Sequence, residues 1–191
     1  MVDRRSVLKA GAASVAGALV GMPTVLSAAP ADSPRPLHAA VFVRRFRQGA
    51  AFAEEMQRRN VAIFSAGNDI AQLWYSDLAG GLNPHNAPIA GLTDRVTLFC
   101  LEELARSAGM RVLYRVDHFV NEHGNVEHNA VGPASVVEAT GKLTSTSAFG
   151  REMAVLACRF EYRELRDTSA LKHTGPFCPG NKVVLVSWMI A

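Results

Sequence analysis

The sequence predicts a single α/β domain of three layers, with helices on both faces of a mainly parallel sheet of about four or five strands. Three stretches carry that prediction. His38 to Ser65 runs as an apolar segment beginning HAAVFV, an amphipathic stretch and a second short apolar segment, the order of strand, crossover helix and parallel strand. Gly91 to Val116, GLTDRVTLFCLEELARSAGMRVLYRV, joins a helix to another strand through a glycine turn. Lys182 to Ile190, KVVLVSWMI, is apolar at almost every position, as a strand buried on both faces must be. Strands that alternate with helices in this way place the sheet in the parallel class.

Taken in order, Asp3, Arg4, Arg5, Ser6, Val7, Leu8 and Lys9 precede a run from Ala10 to Ala31 without a charged residue. This pattern resembles the twin-arginine (Tat) export signal, with Asp3 and Val7 in its variable positions. The resemblance implies the Tat translocase as a partner during export, a periplasmic location, and passage across the membrane in the folded state. Tat substrates often carry a cofactor inserted beforehand or a partner without a signal of its own, so an oxidoreductase subunit is one implied partner. A Sec signal and an anchoring helix over Ala10 to Ala29 are the alternatives. Gly11, Gly17, Gly21 and Pro23 make that run weakly hydrophobic, which favours a cleaved signal and no stable membrane span after cleavage. Ala29, Pro30 and Ala31 fit the small-x-small cleavage pattern, so cleavage is expected after Ala31, with residues 32–191 as the single domain.

Loss of residues 1–31 changes the formal charge from +3 to +1 over the remaining 160 residues. That length suits one domain with a sizeable core. A nearly neutral domain has no basic stripe to set against a row of phosphates, so no nucleic-acid partner is expected.

After the polar spacer Asp32 to Pro36, His38 to Val43 reads as the first strand, followed directly by Arg44, Arg45 and Arg47. Gln48 to Arg59 reads as a helix with Ala50, Phe52, Ala53 and Met56 inward, and Val61 to Ser65 as the second strand. Gly67, Asn68 and Asp69 form a turn and cap before a helix marked by Ile70, Leu73, Trp74 and Leu78 and ended by Gly80 and Gly81. Leu82 to Ala90, LNPHNAPIA, reads as a loop. Thr93 is expected to cap the next helix, which starts at about Asp94, carries an apolar stripe of Val96, Phe99, Cys100, Leu104 and Ala108 widened by Leu98, Leu101 and Ala105, and ends at Gly109. Met110 to Val116 is the following strand. Asp117 to Gly132 is read as a hairpin turning near His123 and Gly124 or an extended excursion from the sheet, Ser147 to about Tyr162 as a helix, and Arg166 to Asn181 as a loop before the final strand. The expected arrangement is Rossmann-like or flavodoxin-like.

In such a sheet the functional crevice lies beyond the carboxyl ends of the strands. That edge would collect Arg44, Arg45 and Arg47, then Ser65, Asn68 and Asp69, then Asp117 and His118, with Thr93 from the loop before its helix. Arg44, Arg45, Asn68 and Thr93 are the candidate ligand-binding residues, since arginines facing free helix amides hold carboxylate or phosphate. The alternative is a solvated helix start with ordinary caps. Nucleotide signatures are missing: no G-x-G-x-x-G follows the first strand, and Thr140 to Thr144 lacks the glycine spacing of a phosphate loop. No cofactor is therefore identified. There is no G-x-S-x-G elbow either, so a serine hydrolase has no motif behind it.

His118, His123 and His128 recur at intervals of five, each after an acidic residue, and could hold a divalent metal if the hairpin register brings them together. A two-residue turn would instead set His118 opposite Asn129 with His128 on the other face, leaving a polar hairpin. Cys100 reads as core, whereas Cys158 and Cys178 flank the last loop and are candidates for a disulfide in an oxidising compartment. The first functional expectation is an exported accessory or binding protein for a small anionic ligand or a partner subunit of a Tat-dependent oxidoreductase. The alternative is a periplasmic hydrolase, isomerase or lyase acting on an acidic small molecule, with Asp69, Thr93, Asp117 or His118 as catalytic candidates.

Overall fold

The computed structural model describes residues 36–81, 87–120, 126–143, 149–161 and 182–191, all within one compact unit, Asp32–Ala191. Arg4, Arg5 and the cleavage position Ala31 lie outside the described residues, as do His123 and Cys178. No described helix is long and apolar enough to cross a membrane.

The molecule is α/β. Its first half is β1 (Ala39–Phe42), α1 (Arg47–Arg58), β2 (Ala62–Ser65), α2 (Ile70–Leu73) with two irregular turns to Gly81, β3 (Ile89–Thr93) and α3 (Arg95–Ser107). The second half is β4 (Val112–Val120), β5 (Val126–Val131), α4 (Ala134–Gly141), α5 (Phe149–Arg159) and β6 (Lys182–Ile190). The expected strands and helices at β1, α1, β2, α2, α3, β4, α5 and β6 are present, the final strand with the bounds read from sequence. Gly109, at φ 77°, takes the left-handed conformation that ends α3.

The six described strands form one open mixed sheet in the order β2-β1-β3-β6-β4-β5, which corrects the expectation of a mainly parallel sheet of four or five. Only β1 with β2 and β1 with β3 pair in parallel; β3 with β6, β6 with β4, and β4 with β5 are antiparallel. The physical reason is β6. It runs opposite to both β3 and β4 and lies between them, so the β3-α3-β4 crossover spans a gap that the apolar β6 fills.

Two corrections follow within that crossover. Ile89 and Ala90, read as the end of a loop, begin β3, which pairs on both edges and is buried throughout. Thr93 is consequently the last strand residue and not the helix cap. Asp94 caps α3, its side chain accepting from the Thr97 amide at 2.8 Å, and it also pairs with Arg45 at 3.0 Å. Asp94→Ala should destabilise the domain by about 1 kcal/mol, since it removes the cap and an exposed pair worth little more. Urea unfolding would measure this; an unchanged midpoint would mean that β3 alone fixes the start of α3.

Alternation along the strands divides the core in two. Ala40, Phe42, Ala90, Leu92, Val116 and Met189 meet Phe52 and Met56 of α1, Val136 of α4, and Phe149 and Met153 of α5. Ala39, Val41, Ile89, Val186, Trp188 and Ile190 meet Leu73 of α2 and Leu98, Leu101 and Ala105 of α3. Glu55 of α1 is buried but not stranded, because Arg58 and Arg59 reach it at 2.9 Å and Arg151 of α5 at 3.9 Å.

Candidate functional site

Asp117 and His118 are neighbours in β4, so the pleat sends them to opposite faces of the sheet and they belong to two separate clusters. The expected crevice that joins them does not form. The other sequence candidates also separate. Arg44 and Arg47 are exposed, and Arg45 pairs with Asp94 while its guanidinium lies 4.9 Å from the Phe46 ring centre. Asn68 is exposed in the turn, and Asp69 accepts from the Gln72 amide at 2.8 Å as the cap of α2. Thr93 is fully buried; its hydroxyl accepts from Trp188 Nε1 at 2.9 Å and donates to the Asp94 carbonyl at 3.1 Å. Ser65 ends β2, half-buried at the sheet edge.

On the face that α3 covers, the buried Asp117 carboxylate is shared by two arginines. Arg115 donates to Oδ1 through Nη2 at 2.8 Å and Nε at 3.2 Å, while Arg95 of α3 sits 3.5 Å from Oδ2. Beside them opens a groove of about 250 Å³ lined by Arg95, Leu98, Phe99, Glu102 and Arg115. Phe99 is 63% exposed and Val96, one turn earlier, 72% exposed, and Val131 of β5 is also exposed. α3 thus carries apolar side chains on two sides: Leu98, Leu101 and Ala105 seal the core, while Val96 and Phe99 face solvent. The sequence revealed the wide apolar stripe, but only the position of α3 on the sheet tells which part of it is buried.

On the opposite face, His118 stands directly across from His128 in the β4–β5 pairing. This corrects the two-residue turn: Val120 pairs with Val126, so five residues separate the strands and the register moves by one, bringing both histidines to the same side. Their Nδ1 atoms are 2.7 Å apart, and His118 Nε2 lies 2.7 Å from Ser187 Oγ of β6. Phe149 stacks on His118 with ring centres 4.3 Å apart and meets His128 edge-on at 5.2 Å. Burial, and then the charge of His128, hold His118 well below the usual histidine range. Ser187 was missed in the sequence, where the signal is one hydroxyl inside an otherwise apolar strand.

Serine, histidine and a second histidine stand here in the order of nucleophile, base and orienting group. Ser187 and His118 are each 1% exposed, however, and Ser187 lies within β6 beside a histidine covered by Phe149, so the hydroxyl is closed to a solute. A metal held by both Nδ1 atoms at a tetrahedral angle would need them about 3.3 Å apart, and His118 has its other nitrogen engaged by Ser187. No group of three or more metal-ligating side chains occurs among the described residues. Cys158 is a free thiol 3.7 Å from Met56 Sδ, and burial pushes it up, away from the reactive thiolate. Its expected disulfide partner is outside the described residues.

Comparison with known protein families, with curated proteins and with solved structures gave no match.

Proposed function

We propose that this chain is exported through the Tat pathway by a signal at residues 1–31, and that the domain from Asp32 onward is a periplasmic binding protein for a small organic anion held in the groove between α3 and β4. The observation that supports it is the convergence of Arg95 and Arg115 on one carboxylate at the groove wall. Two guanidiniums share a single Asp117, which leaves N–H groups to spare, while Glu102 of the same groove is engaged by Arg106. Leu98 and Phe99 provide an apolar wall beside those donors. A carboxylate on a short apolar or aromatic body fits both features and the volume. In this reading the domain has three layers, α3 being the helix that brings its own arginine and phenylalanine to the ligand.

Arg95, half-exposed, is the residue to test because its removal spares the core. Titration of isotope-labelled protein with benzoate and with hexanoate should move the amide resonances of Arg95, Phe99 and Arg115. Arg95→Gln should weaken binding about tenfold, the value of one charge-assisted hydrogen bond, with the melting temperature nearly unchanged because an exposed ion pair contributes little. If neither anion moves those resonances, the small-ligand reading fails. The exposure of Val96 and Phe99 favours one other reading, a partner subunit of a Tat-dependent oxidoreductase seated on the same face; a second polypeptide that co-purifies and protects Phe99 from solvent would select it. The hydrolase, isomerase or lyase reading has less support, since Asp117 and His118 lie on opposite faces of the sheet.

A further inference from the structure

The His118–His128 contact is a hydrogen bond that can be lost by adding protons. Two imidazoles whose Nδ1 atoms are 2.7 Å apart share one hydrogen between them. With both rings neutral, one Nδ1–H donates to the other. With one extra proton on either ring the bond persists. With a proton on each, two N–H groups face one another at that distance and the contact cannot exist.

We propose that this pair is an acid-sensitive latch that keeps the edge strand β5, and the helix α4 that follows it, on the sheet near neutral pH and releases them on acidification. The topology makes release local. Among the described residues β5 lies at the end of the sheet and pairs with β4 alone, whereas β4 is also held by β6. Apart from His128, the described groups in contact with His118 carry no charge. β6 presents Ser187 between Leu185 and Met189, and α5 presents Phe149. Asp117 and Glu127 belong to the other face by alternation, Asp117 being engaged by Arg95 and Arg115. On α4 Glu138 is exposed and paired with Lys142, on α5 Arg151 and Glu152 are exposed, and Glu55 of α1 is surrounded by arginines.

The sign follows from His118. Its folded value lies below the unfolded value of about 6.5, so the fold favours the neutral ring and the unlatched state binds the additional proton. The stabilisation is complete above about pH 6.5 and is lost as pH falls from there toward the depressed value, by up to tenfold in the opening equilibrium per pH unit.

Amide hydrogen exchange of the purified protein between about pH 7.5 and 5, corrected for intrinsic rates, reads this directly. Protection of β5 and α4 should fall up to tenfold per pH unit below about 6.5, while β1 and β3 hold theirs. His118→Gln combined with His128→Gln, which keeps polar side chains at both positions but leaves neither able to take a charge, should remove the pH dependence. Should that variant not fold, ring nitrogen spectra of the unaltered protein decide: His118 must remain neutral well below pH 6.5 and share a proton with His128. β5 protection that ignores pH, loss that is equal across β1, β3 and β5, or a His118 ring that charges at its ordinary value would each overturn the latch.

Discussion

Gly91→Ala should destabilise the domain by about 3 kcal/mol, enough to lower the melting temperature by roughly 10 °C for a domain of this size. Gly91 pairs with Trp188 across β3 and β6, and the indole lies against its Cα, so a methyl group there would overlap the ring at Cζ2 and Cε2. Trp188 is a buried member of the cluster formed with Leu78, Leu98 and Leu101, which leaves the ring no free space to enter. A displaced indole also forfeits its hydrogen bond to Thr93, and a buried N–H without a partner adds a penalty comparable to the overpacking itself. Urea unfolding of the variant checks the value. A loss under about 0.5 kcal/mol would mean that the ring moves aside freely, contrary to the close packing of interiors.

Gly150→Ala, at the start of α5, should reverse the usual sign of a glycine to alanine change in a helix. Such a change ordinarily stabilises an exposed helix by up to about 1 kcal/mol. Here the added methyl would run into the backbone of Gln48, at its carbonyl oxygen and carbon, where the first turns of α1 and α5 touch. Backbone cannot rotate away as a side chain can, so the helices must separate and loosen Phe52 and Met56 against Phe149 and Met153. The expected cost is about 3 kcal/mol, in line with overpacking together with partial loss of apolar contacts. Because Phe149 also stacks on His118, the His118 ring resonances should shift in the same variant. A neutral or stabilised Gly150→Ala would show that the two helices are not held at backbone contact.

The elements that sequence reading recovered are those whose side-chain pattern repeats within the element. The spacing of Phe52, Ala53 and Met56 reveals α1, and the unbroken apolar run in Lys182 to Ile190 reveals β6. β3 escaped because a strand of five residues with Gly91 at its centre and Pro88 before it has the composition of a loop; the glycine is there for the indole of a residue 97 positions later in the chain. α4 escaped too, since Val136 and Val137 next to Ser135 and Gly141 give no clear helical period. Strand order lay beyond local reading, because nothing near β6 says that it inserts between β3 and β4. The candidate site had the same difficulty. Asp117 and His118 stand out in the sequence, yet the pleat of β4 assigns them to different clusters, and their partners Arg95, Arg115, His128 and Ser187 are chosen by register and packing rather than by motif.

The central place of β6 has a consequence for how this sheet comes into being. β1, β2 and β3 form one three-stranded piece and β4 with β5 form a hairpin, and without Lys182–Ile190 neither β3 nor β4 has a neighbour on its inner edge. Every other described strand leaves the ribosome before Lys182–Ile190, the segment that lies between the two pieces. Assembly is therefore delayed until after β6 has been synthesised, and two unpaired strand edges wait in the meantime for a partner from the same chain or from another. Unpaired edges of this kind are where an incomplete chain is open to mispairing before the sheet is finished.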